Sequence, residues 1–131
     1  MSEDPNTHRV LTLVKEVLPD ADASIDDDGD VVVEFGDRSR VLMVSEQFLV
    51  ARSYWQTEAP VNALSVISRV LNNRTAVGRL VFPEEGGRFA IDYGRAFDAV
   101  VSEFDVRHTI AMLLALENAL GEIAEEYGYV L

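Results

Sequence analysis

The stretch that most constrains how this chain folds is its last segment, residues 102–131, SEFDVRHTIAMLLALENALGEIAEEYGYVL. Ser102 followed three residues later by Asp105 is the pattern of a capping box, in which side chains satisfy the free N–H groups of a helix start. Gly128 is a natural stop, because glycine takes the left-handed conformation that closes a helix. The signals predict one helix from Ser102 to about Tyr127. Within it Ile110–Leu116 are seven apolar residues in a row, so the apolar arc exceeds one side. Such a helix is either buried in its own domain or shared with a partner or ligand.

The remaining residues show what is available to cover it. In residues 7–18, THRVLTLVKEVL, the positions Val10, Leu11, Val14, Val17 and Leu18 fall at helical spacing, with Thr7 as cap and Pro19 as stop. The period then changes. Val31, Val33 and Phe35 alternate with Val32 and Glu34, RSRVLMVS forms a second β run, and EQFLVARSYW a third. Pro60 suits the first turn of a helix over PVNALSVISRVLNNR, where Leu64, Ile67 and Leu71 make a stripe. A hairpin follows, AVGRLVF and RFAIDY around the turn PEEGG. The order is α-β-β-β-α-β-β-α, an α+β domain with an antiparallel sheet covered by helices. It is expected to be one domain over residues 1–131, with its ordered core over about 7–128.

Composition bounds the function classes. The chain has 131 residues, no cysteine and a net charge of −12. Disulfides, thiolate nucleophiles and Cys-based zinc sites are therefore excluded. So acidic a surface repels phosphate backbones and anionic lipid, and the ten arginines and one lysine are scattered. Residues 1–35 alone carry a net −8, either a solvated face or one that meets a basic partner. No apolar run has membrane-spanning length, and the start MSEDPNTHRV is not a secretory signal. A cytoplasmic location is expected, with neither nucleic acid nor membrane as partner.

The most site-like string is Ser24–Val31, SIDDDGDV. With Gly29 at the sixth position of a calcium loop, Ser24, Asp26 and Asp28 take positions 1, 3 and 5, but position 12 is Phe35, where a bidentate Glu is required. The flanks read as strands, so Asp28-Gly29 predicts a two-residue hairpin tip. His8 and His108 are the only histidines. Ser102, Asp105 and His108 lie within two turns of one helix, whereas a triad converges from separate elements. Arg69, Arg74 and Arg79 form a patch that either binds an acidic ligand or, as the plainer reading, pairs with surface carboxylates. No catalytic residue, metal site or cofactor is assigned. Tyr54 and Trp55 in the third strand, and Leu113, Leu116 and Leu120 on the final helix, are the candidate partner contacts.

The hairpin DDDGDVVVEF, the element order, and VISRVLNNRTAVGRLVFPEEGGRFAIDY resemble the YbjN-like family of bacterial sensory transduction regulators. Leu71, Asn72, Asn73 and Arg74 match its asparagine-rich helix end, though the asparagine spacing departs from the pattern, and the likeness spans residues 8–127. That family is similar in fold to the class I type III secretion chaperones, small acidic dimers with an amphipathic C-terminal helix. The resemblance implies a non-enzymatic regulator or adaptor, a homodimer that also binds an unidentified protein, and it carries over no catalytic residue. The alternative from a different class is a metal- or small-molecule-binding enzyme using the acidic N-terminal loop.

Overall fold

The structure is a computed structural model and describes residues 5–36, 38–74, 79–81 and 88–131. Three helices and six strands follow one another as α1 (Pro5–Val17), β1 (Asp22–Ile25), β2 (Val31–Phe35), β3 (Arg38–Val44), β4 (Phe48–Gln56), α2 (Val61–Arg74), β5 (Arg79–Val81), β6 (Arg88–Ala96) and α3 (Glu103–Glu126). All strands pair antiparallel in one sheet of order β1-β2-β3-β4-β6-β5. This is the expected α+β fold with one strand more than the reading counted, since the short segment Asp22–Ile25 pairs with Val31–Glu34. The turn PEEGG lies outside the described residues.

The final helix forms as its sequence predicts. Ser102 accepts from the Asp105 N–H, and the Asp105 carboxylate accepts from the Ser102 N–H, so both arms of the capping box are made. Gly128 takes φ +83° just beyond the end. The first helix differs. It begins at Pro5, so Thr7 lies inside the helix and is buried instead of capping it. Proline tolerates the first helical turn because its missing N–H has no partner there anyway. For α2 the Pro60 carbonyl accepts the first helical bond, from the Leu64 N–H.

Helix α3 lies across β4 and β6, α1 packs on β1–β3, and α2 packs on α3 and β5. All three cover the same side of the sheet. Its inward positions are Val31, Val33, Leu42, Leu49, Ala51, Trp55, Phe89 and Ile91, all buried in one cluster with Val10, Leu64, Leu71, Leu113, Leu116 and Leu120. Fully burying a Leu or Ile contributes about 1.5–3 kcal/mol each. The apolar arc of α3 is therefore satisfied within the chain, by the sheet below it and a helix on either flank.

Candidate functional site

At the β1–β2 connection the structure corrects the two-residue tip. The turn spans Asp26–Asp30, with the Asp26 N–H donating to the Asp30 carbonyl (2.9 Å) and the Gly29 N–H to the Asp26 carbonyl (3.1 Å). Asp26 Oδ1 also accepts from the Asp28 and Asp30 N–H groups at 3.0 and 2.9 Å. Glycine is needed at 29, where φ is +84°. Carboxylate oxygens of Asp26, Asp28 and Asp30 all lie within 4.8 Å of one another. Partial burial, with the charges of Asp26 and Asp28, raises the Asp30 pKa. A cation can bridge such a group, but Asp26 Oδ1 is already committed to backbone donors.

No relay assembles on α3. Ser102 and Asp105 bond each other, with Ser102 Oγ donating to Asp105 Oδ2 at 2.9 Å, and the second Asp105 oxygen meets Arg95 at 3.3 Å. His108 Nε2 lies 3.0 Å from the Tyr93 hydroxyl, and the ring stacks on Phe104. The three side chains thus serve a cap and a packing contact. Arg74 pairs with Glu126 at 3.0 Å with both side chains about half exposed, while the Arg79 side chain lies outside the described residues. Two clefts among the described residues differ in kind. The apolar crevice between Leu18, Phe35, Leu42 and Leu114 has about 10 Å³ of free space. The groove beside His8, Arg9 and Glu103 is larger, about 490 Å³, but wide open.

The candidate partner contacts divide sharply. Leu113, Leu116 and Leu120 are 0–2% exposed and pack in the chain's own core, so no partner reaches them in the folded chain. Trp55 is buried too. It stacks on Phe89 (centroids 5.7 Å apart), lies under the Arg38 guanidinium and donates from Nε1 to Ser53 Oγ. Tyr54 points the opposite way and is 51% exposed.

Tyr54 belongs to a face that the sequence reasoning did not single out. Strand alternation places Val32, Val41, Met43, Val50, Arg52 and Tyr54 on the side of the sheet away from the helices. Val32, Val41, Met43 and Val50 are half-buried by their strand neighbours and take no part in the hydrophobic core. No helix or strand among the described residues covers this side. An open antiparallel sheet face ordinarily alternates to polar residues; here Val32, Val41, Met43 and Val50 make an apolar patch within a face that also carries the exposed Glu34, Ser39, Gln56 and Arg88. Its central charges are paired, with Arg52 Nε and Nη2 donating to Asp92 at 2.6 and 2.9 Å. That bidentate bond raises the guanidinium pKa further. The available signal was the apolar runs VVV and VLMV, which leave neither face of their strands polar.

No family model and no curated protein matches the sequence. Among solved structures the chain superposes on YbjN, a candidate transcription regulator from E. coli, with a TM-score of 0.73 over 97% of this chain and 96% of that one. The fold is similar to that of YbjN. At 8% identity the likeness establishes architecture alone, and it is the fold expected from the residues that it supports. No helix among the described residues is long and apolar enough to cross a membrane.

Proposed function

We propose that this chain is a non-catalytic, protein-binding regulator or adaptor of the YbjN and secretion-chaperone type, working in the cytoplasm as a homodimer that also holds a second protein. The observation that carries the reading is the apolar patch of Val41, Met43 and Val50 on the uncovered side of the sheet, with Tyr54 exposed at its edge. Contiguous apolar surface of this kind marks interaction sites in soluble proteins. The likeness to YbjN supports a regulator, and the tight apolar crevice and wide-open groove favour protein contacts over enclosure of a substrate. Phe104, 63% exposed at the start of α3, and Val61, 62% exposed on α2, offer further contacts for the second protein.

The test is capture from the native host's cytoplasm on the immobilised wild-type chain, beside a Phe104→Lys, Tyr54→Lys variant shown by its melt to be folded. The expected result is a saturable protein partner held by the wild type and lost by the variant. Equal retention by both, or turnover of a substrate by the purified chain, would overturn the reading. A second reading, cation chemistry at the acidic loop, is favoured by the convergence of the Asp26, Asp28 and Asp30 carboxylates. Calcium titration of the wild type with Asp26→Asn and Asp28→Asn variants tests it. Saturable binding tighter than roughly 1 mM, lost in both variants, would support it; the adaptor reading expects none in that range.

A further inference from the structure

We propose that the outer edge of β1 accepts an extended segment of a second protein, with basic residues alternating with small apolar ones, as an added strand; this rests on the adaptor reading and names the chemistry of its partner. The sheet ends at β1. The Asp26 N–H donates to the Asp30 carbonyl, which continues the register Asp22↔Glu34 and Ser24↔Val32 and makes 26 and 30 a bonded pair. Bonded and non-bonded pairs alternate along an antiparallel ladder. Asp22 and Ser24 therefore bond β2, while Ala23 and Ile25 turn their N–H and C=O groups away from it. Among the described residues no backbone group bonds Ala23 or Ile25 from that outer side. Unpaired groups along a strand edge are a template for another strand.

Charge selects the occupant. Residues 16–36 hold eight Asp or Glu and no Lys or Arg. Asp20, Asp22, Asp26, Asp27, Asp28 and Asp30 form no ion pair among the described residues, whereas Glu103, Asp105, Glu117 and Glu126 each meet an arginine. Side-chain placement sets the pattern. Asp22 and Ser24 are exposed on the helix-free side of the sheet, and Ala23 and Ile25 pack toward the core on the side of α1. A strand laid beside β1 alternates in the same way. Its basic side chains then stand beside Asp22 and Ser24, next to the Asp26–Asp30 turn, and its small apolar ones extend the core. A second copy of β1 on this edge would crowd aspartates together, and like charges facing one another across strands destabilise. The short acidic strand thus rejects copies of its own chain and leaves the edge to a basic one.

The experiment is a calorimetric titration of the full chain with short probe peptides. One alternates Lys and Val, a second alternates Glu and Val, and a third alternates Lys and Pro, which keeps the charge but is barred from a ladder by its prolines. The protein variants are Asp22→Lys, Ala23→Pro and Glu125→Lys. Ala23→Pro removes an outward N–H and leaves the β1–β2 bonds in place, and Glu125→Lys makes the same charge change as Asp22→Lys on α3, which does not touch β1. Thermal melts confirm folding of each; if Ala23→Pro unfolds, Asp22→Lys and the Lys-Pro peptide still decide. The expected result is saturable binding of the Lys-Val peptide alone, with a dissociation constant that rises at least about tenfold in Asp22→Lys and Ala23→Pro and is unchanged in Glu125→Lys. Binding weakens as NaCl rises from about 50 to about 500 mM. No saturable binding of the Lys-Val peptide, equal binding of the Lys-Pro peptide, or a loss in Glu125→Lys as large as in Asp22→Lys would overturn the proposal. A wild type that ignores the peptide yet captures a protein lost in the Phe104→Lys, Tyr54→Lys variant removes this inference and leaves the adaptor reading standing; peptide binding on these terms with no protein captured does the reverse.

Discussion

Arg40 reaches from β3 to Glu117 on α3 with two bonds, 2.7 and 2.6 Å, and both side chains are nearly enclosed. Removing one partner leaves a desolvated charge, so Glu117→Ala is expected to cost about 3 kcal/mol in a denaturant titration. Replacing both by apolar residues of similar size, Arg40→Met with Glu117→Leu, should recover most of that loss, because no unpaired charge then remains. A small effect of Glu117→Ala alone would mean that the pair stays hydrated. Two glycines give opposite predictions. Gly29 sits at φ +84°, so Gly29→Ala costs about 1 kcal/mol. Gly121 lies within α3, and an added Cβ there meets nothing within 4 Å. Gly121→Ala should therefore stabilise the helix by about 0.5–1 kcal/mol. Both are measurable as shifts in the denaturation midpoint.

At the scale of elements, the β1–β2 turn concentrates like charges in a small space. The Asp30 carboxyl is pushed above its ordinary 3.8 by burial first and then by Asp26 and Asp28. A carboxyl with a raised folded-state pKa favours folding while it is protonated. Its contribution is complete below the unfolded value and is lost as pH rises through the folded one. Asp30→Asn, which carries no charge at any pH, is accordingly expected to melt higher than wild type near pH 7, with the difference shrinking toward pH 3. A variant that melts lower than wild type at neutral pH would rule out burial and repulsion of the Asp30 charge as the governing effect. This turn also shows the reach of sequence reasoning. Asp-Gly signalled a hairpin correctly, but the Asp26 side chain, by accepting two backbone N–H groups, set a longer loop than the dipeptide suggests. Helix α3 was legible at both ends because capping is a local interaction. Thr7 was misread as a cap because Pro5, already competent to start a helix, moved the boundary upstream.

For the whole molecule, 23 acidic against 11 basic residues make self-repulsion a global term. Thermal stability is expected to rise between about 50 and about 500 mM NaCl as that repulsion is screened. A melt that falls with salt would show that surface ion pairs such as Arg74–Glu126 outweigh it. The order of the elements apart from β1, the caps of the last helix and the need for glycine at position 29 are all legible in the sequence, since each depends on residues a few positions apart. Which face of each apolar stretch lies inward was decided only by the tertiary structure. Leu113, Leu116 and Leu120 have the composition of an interface as much as of a core, and the sheet with its flanking helices encloses them. Val41, Met43 and Val50 look no different in sequence from their buried neighbours, and strand alternation turns them away from the helices. Burial is a property of what packs against a side chain, and the strands and helices that do so here come from distant parts of the chain.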